Sequence, residues 1–363
     1  MKNKKKFAII IDWLDQYAGS ERVISSMSKV FLFDEIHTMI SIMNERDLRK
    51  TFNNSFSTIN TTFMQSFGKY FRYFFPLFFI FVKQIKVSKG IDVVISSSHS
   101  IAKNIRVPKN TIHFSYFQAR NMKYIWDEYK LYFRGILKLI YPLIPLMRYL
   151  DKKGAQNPNY IISNSNYVKD WVKKTYNRDS HVIYPPVDIH NFTIGPHKGD
   201  YFISVGRLEP YKRFDIIIDA FNKNNQQLII IGDGSQMKYL KSISNDNIKF
   251  LGFLDSKKIN QHLGNAKAFV YVGIEDFGIS PIEAQATGCP VICLKAGGTK
   301  ETITEKTGIF FSEQTAESLN SSISKFLVKS NSFKISEIRK NAERFSEKNF
   351  IRNLSEYVSK KCD

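Results

Sequence analysis

The chain predicts an α/β fold in two successive domains, each a parallel sheet covered by helices. Three observations carry that prediction. Short apolar runs alternate with helix-period segments along most of the chain, nearly every run ends in a polar or glycine-rich loop, and Pro185-Pro186 interrupts the rhythm near the middle. At 363 residues and 43% hydrophobic composition the chain has enough apolar material for two cores. The expected division is 1–190 for the first domain, 191–345 for the second, and 346–363 as a helix returning to the first.

The first strand is Phe7 to Ile11, closed by Asp12. Lysines precede it, but an apolar run of about five residues is too short for a signal peptide. A loop at Gly19-Ser20 follows, and then helical spacing at Val23, Ile24, Met27 and Val30. A glycine there lets a phosphate or sugar approach the backbone, or simply makes a turn. Ile36 to Ile42 reads as the next strand. Asp92 to Ser96 leads into SSSHS with His99, Thr111 to Tyr116 leads into FQARNMKYIWDEY, and Tyr160 to Ser165 precedes the helix VKDWVKKTY. A histidine at such a strand end serves either structure or chemistry.

The second half is more regularly punctuated. Tyr201 to Val205 is followed by GRLEPYKRF, Gln227 to Ile231 by GDGS, and Ile248 to Leu251 by GFL. Ala268 to Val272 precedes EDFGISPIE, Pro290 to Leu294 precedes KAGGTKE, and Gly308 to Phe311 is the last strand. The tail from Ser332 to Lys361 is helical and polar.

Charge is placed unevenly. The net charge is +20; residues 1–190 hold 29 Lys/Arg against 14 Asp/Glu, and residues 191–363 hold 24 against 19. Within 51–150 the count is 14 against 3, interleaved with aromatic and aliphatic residues in 69–86 and 132–153. These segments read either as amphipathic core helices with solvated basic faces or as a surface for anionic lipid. The uncharged run Tyr73 to Val82 is about half the length that would span a bilayer. Three cysteines, Cys289, Cys293 and Cys362, make no disulfide framework and point to a reducing, cytoplasmic setting.

Glu275 and Glu283 flank a glycine turn after an apolar run, at the sheet edge where α/β proteins bind ligands. A helix starting at Ser280-Pro281, with Ser280 as cap, puts Glu283 in its first turn and both carboxylates in one crevice. Arg207 and Lys212, five apart around a turn, offer two cations suited to a diphosphate. GDGS at 232–235 and AGGT at 296–299 add backbone N–H groups next to helix starts.

On GRLEPYKRFD, IIGDGS, IKFLGFLD, EDFGISPIEAQATGCPVI and AGGTKETI, the second half resembles retaining glycosyltransferases of family 4. These have the GT-B fold of two Rossmann-like domains facing a central cleft. AGSERV, SSSH, NMKYIWDEY, RYLDKKGAQNPNYIISNS and VIYPPVD extend the resemblance to the bacterial O-antigen mannosyltransferase-like branch. The resemblance implies hexose transfer, mannose favoured, from a nucleotide-diphosphate sugar to a lipid-linked saccharide in O-antigen or capsule synthesis. It gives Arg207 and Lys212 to the pyrophosphate, Glu275 to the transferred sugar and Glu283 to the ribose. Gly232 and the backbone of Phe277, Gly278 and Ile279 would contact the donor, while Gly252 and Phe253 frame the base. Gly19 would approach the phosphates and His99 the sugar. GDP-mannose is favoured over UDP-hexose, with no cofactor and, absent a DxD-type pair, no metal. The expected acceptor is an undecaprenyl-diphosphate-linked saccharide on the inner face of the plasma membrane, with peripheral binding to anionic lipid and no nucleic acid.

One departure falls on the acceptor side. The branch commonly carries His-Thr-Pro ahead of Met-Arg-Tyr, where this chain has FQARNMKYIWD; Gln118, Arg120 and Tyr124 are therefore acceptor-side candidates. Rival readings are a sugar-nucleotide epimerase of the same fold, a catalytically idle sugar-nucleotide-binding partner, and a basic nucleic-acid-binding protein. The last gives no reason for Glu275 and Glu283.

Overall fold

The computed structural model describes residues 5–56, 58–195 and 199–362. The chain forms two compact units, one running to Pro186 and resuming at Phe350, the other from Val187 to Asn349.

The first unit holds a seven-stranded, wholly parallel sheet. Its strands are β1 (Phe7–Ile11), β2 (Phe33–Thr38), β3 (Ile59–Asn60), β4 (Val93–Ser98), β5 (Ile112–Phe117), β6 (Tyr160–Ser163) and β7 (His181–Val182), in the order β3-β2-β1-β4-β5-β6-β7. Ile9 sits opposite both Ile36 and Ile95. Because side chains alternate across a strand, β1 feeds two cores. Ile9 and Ile11 pack with Val23, Ile24 and Met27 and with Phe350, Leu354 and Val358 of the last helix, Glu347–Cys362. Ala8 and Ile10 pack with Phe71, Phe78 and Met147.

The aromatic stretch differs from a regular amphipathic helix. Phe63–Leu77 is a 3-10 segment broken at Gly68 and Phe74, with Pro76 inside it, and Gly135–Leu143 is a second such segment containing Pro142. Proline removes an N–H donor and crowds the preceding turn, so neither run settles into α-helix. Beyond Leu143 a regular α-helix does form, Ile144–Gly154. The second strand also lies earlier than Ile36 to Ile42. Met39 and Ile40 are buried in the core without belonging to it.

The second unit is a six-stranded parallel sheet ordered β10-β9-β8-β11-β12-β13. Its strands are β8 (Phe202–Val205), β9 (Leu228–Ile231), β10 (Ile248–Gly252), β11 (Phe269–Tyr271), β12 (Val291–Leu294) and β13 (Gly308–Phe311). Each sheet reverses its strand order once, between β1 and β4 and between β8 and β11. Ligands of doubly wound sheets bind outside the carboxyl ends of the strands at that reversal. Among the described residues no helix is long and apolar enough to cross a membrane.

Candidate functional site

In the second unit the reversal gathers the predicted donor residues. Arg207 follows β8 and Glu275 follows β11, the two strands that flank it. Lys212 Nζ forms an ion pair with Glu275 Oε1, both side chains being largely buried. The same Nζ lies 5.8 Å over the Tyr271 ring. Burial, and after it the Glu275 charge, push the Tyr271 hydroxyl far above its ordinary pKa, so it keeps its proton. Arg207 donates from Nη2 to Tyr211 Oη at 2.9 Å.

Neighbouring loops are tied to this centre. Ser235 donates its N–H (3.2 Å) and its hydroxyl (2.7 Å) to Glu209, and Leu208 N–H donates to the Asp233 carbonyl at 2.9 Å. The β8 loop and the GDGS loop are thereby one unit. Gly232 has φ +139, and a Cβ there would lie 1.9 Å from the Gly206 carbonyl oxygen, so only glycine lets these strand ends pass. Gly232 N–H in turn donates to the Gly252 carbonyl, which brings the base-framing segment alongside; the Phe253 side chain is 83% exposed.

The helix after Glu275 begins two residues earlier than the sequence suggests. It spans Ile279–Ala286 with Gly278, at φ +89, in the capping position. Ser280 is therefore not the cap, Pro281 is the third helical residue, and Glu283 falls in the second turn, partly buried. The left-handed conformation that leads into the helix suits glycine and not serine, which decides the start. Phe277 is buried against the Phe345 ring, leaving its backbone as the part able to meet a ligand. The first-turn N–H groups of such a helix have no intrahelical acceptor and face an anion well.

In the first unit, Asp12 and His99 follow β1 and β4, the strands at its reversal. Asp12 is fully buried. Its Oδ2 accepts from His99 N–H (2.6 Å) and Ser100 N–H (2.9 Å), and its Oδ1 accepts from the N–H groups of Ile101 and Ala102 (2.6 Å each). His99 Nδ1 lies 3.1 Å from the same Oδ2, and the Trp13 ring meets the imidazole edge-on at 4.5 Å. Gly19 is the first residue of the helix Gly19–Ser28, not a loop residue. Glu21 in that first turn is buried and accepts from Ala18 N–H and the Ser20 hydroxyl. Burial pushes its carboxyl pKa up, against the pull of those donors and of His99.

The acceptor-side candidates separate. Gln118 lies half-buried at the end of β5 and donates to Ser97 Oγ at 2.9 Å. Tyr124 Oη pairs with Ser100 Oγ at 2.9 Å, which ties it to the His99 loop, and burial raises its hydroxyl pKa. Arg120 is not an open contact for a substrate. Its side chain is 8% exposed, pairs with Asp127 and Glu128 at 3.1 Å each, and lies over the Tyr167 ring. An always-charged fork in so dry a setting requires these partners.

Residues 188–349 match the family model for glycosyl transferases group 1. The chain is 32% identical over 163 residues to the O-antigen chain mannosyltransferase RfbU of Salmonella typhimurium, covering 40% of this chain and 44% of that protein. It is 22% identical over 346 residues to the GDP-Man:Man(3)GlcNAc(2)-PP-Dol alpha-1,2-mannosyltransferase of Dictyostelium discoideum, covering 83% and 63%. The chain thus spans less than two thirds of either relative's length. Among solved structures, Anabaena HepE in complex with UDP superposes with a TM-score of 0.72 at 16% identity, over 98% of this chain and 100% of that one. The second unit is a glycosyl transferases group 1 domain, and the chain has the GT-B fold and is similar to family 4 glycosyltransferases.

Proposed function

We propose that this protein is a retaining glycosyltransferase that moves a hexose, mannose favoured, from a nucleotide-diphosphate sugar to a lipid-linked saccharide. The observation that carries the reading is the Lys212–Glu275 pair, with Arg207, at the reversal point of the second sheet. Two cations and a carboxylate there match the two ends of a sugar diphosphate. An arriving diphosphate competes for Lys212 and frees Glu275 to accept hydrogen bonds from sugar hydroxyls.

The bond from the anomeric carbon to the β-phosphate oxygen breaks, and a bond to the acceptor oxygen forms on the same face. The acceptor's proton passes to a phosphate oxygen of the leaving nucleoside diphosphate. Arg207 and Lys212 meet the negative charge that grows on that group, where fixed cations lower the barrier most, so the reaction runs without a metal. His99 contacts the transferred sugar, Gly19 the phosphates, Glu283 the ribose, and Gln118 with Tyr124 the acceptor side. GDP-mannose is favoured as donor because the Dictyostelium relative is named for GDP-Man; the same name carries a dolichyl-diphosphate acceptor, which supports a lipid-linked one here. Surface-polysaccharide synthesis is supported by the name of the Salmonella relative.

The test joins binding to turnover. GDP and GDP-mannose are expected to raise the melting temperature more than UDP and its sugars. Glu275→Gln is expected to keep that shift and lose transfer to a polyprenyl-diphosphate saccharide by about a hundredfold or more, and EDTA is expected to leave the wild-type rate unchanged. Full transfer by Glu275→Gln, or no thermal shift with any nucleotide, would overturn the reading.

A further inference from the structure

We propose that Asp12 is a positioning residue that fixes the tautomer and ring plane of His99. Its carboxylate is completely buried, yet it accepts four consecutive backbone N–H groups, from His99 to Ala102, all from residues far along the chain. A run of N–H groups of this kind is the usual cradle for an external anion. Here the protein fills it with its own carboxylate.

The consequence for the imidazole is chemical. The Oδ2 atom also lies 3.1 Å from His99 Nδ1, and a carboxylate oxygen so close favours a hydrogen on that nitrogen. Nδ1 therefore carries the hydrogen, and in the neutral ring Nε2 is the acceptor nitrogen, on a side chain that is 31% exposed. The Trp13 edge closes one side of the ring. Ser98 and Ser100 hold the loop from beyond, through Asn121 and Tyr124. Asp12 touches no substrate in this scheme; it acts through His99.

The kinetic half of the test rests on the glycosyltransferase reading, and the spectroscopic half does not. In 15N-labelled wild-type protein, with His99→Gln identifying the signal, His99 is expected to show a protonated Nδ1 and a pyridine-type Nε2. In Asp12→Asn, whose amide can present a hydrogen to the ring, that preference is expected to be lost, a change that loss of packing alone does not predict. Transfer by Asp12→Asn should fall at least about tenfold in kcat with donor KM within about twofold, and adding Asp12→Asn to His99→Gln should cost less than about twofold more. A wild-type Nε2–H tautomer, or fully multiplicative losses in the double variant, overturns the proposal. If Asp12→Asn fails to fold, the wild-type tautomer decides it. If the wild type transfers no sugar, the proposed function fails and the tautomer still decides this one.

Discussion

His113 lies on β5 inside the first sheet, fully buried, with Nε2 2.8 Å from Ser96 Oγ. Burial, assisted by the Arg178 charge, pulls its pKa from 6.5 down to about 3. The depressed value means the unfolded chain takes up the proton first, so this residue's contribution to stability is whole above pH 6.5 and is lost as pH falls towards 3. Over that window the slope approaches 1.4 kcal/mol per pH unit, so about 2 kcal/mol is lost between pH 6.5 and pH 5. His113→Gln is expected to flatten that loss, as read from urea unfolding at the two pH values. Single residues also show how far the site was legible. Arg207, Lys212 and Glu275 stand in contiguous stretches whose order marks them as candidates, and the structure pairs Lys212 with Glu275. Asp12 gives no such signal, because its partners at 99 to 102 are distant in the sequence and only the parallel β1–β4 pairing brings them close. The setting of Arg120 is illegible for another reason: a sequence shows an arginine's charge but not that Asp127 and Glu128 pair with it.

At the scale of elements, the buried Lys103–Asp151 pair ties several pieces of the first unit together. Lys103 Nζ donates to Asp151 and to the Ser100 carbonyl, and Asp151 Oδ2 also accepts from Trp126 Nε1 and Tyr176 Oη. The loop after β4, the helix Ile144–Gly154 and the helix Asn166–Tyr176 thus share one carboxylate. Lys103→Met leaves that charge buried and unpaired and is expected to cost about 3–5 kcal/mol in urea unfolding, whereas Lys103→Met with Asp151→Asn should cost less. The longer strands of the second unit were legible to within a residue or so, because unbroken apolar runs bounded by glycine mark strands buried on both faces. β3 and β7 were missed, since two residues have no periodicity to detect. The helix register at Glu283 was misplaced because Ser-Pro is a good local start signal that a left-handed glycine upstream overrides.

Over the whole molecule the positive charge gathers in the first unit, beside apolar side chains left in solvent. Tyr70, Tyr73, Ile80, Ile136, Leu139, Leu146 and Tyr149 are all more than half exposed, next to Lys69, Arg72, Lys83 and Lys138. Their segments share one core through Phe71, Phe78, Ile144 and Met147, so the exposed residues stand on one unit. Amphipathic surface with Lys/Arg suits an anionic bilayer, at about 1 kcal/mol per basic residue near the surface. Flotation with vesicles rich in anionic lipid is expected to carry the protein, neutral vesicles are not, and Tyr73→Ser with Leu139→Ser should weaken the binding. Equal flotation with both lipids would count against the membrane assignment. The last helix has a further consequence, in the order of synthesis. Phe350, Leu354 and Val358 complete a core whose first strand is Phe7–Ile11, so a ribosome delivers the closing piece of the first unit only after the entire second unit has emerged. The amino-terminal half is thus made first and finished last, and during translation it is the half that a chaperone has most reason to hold.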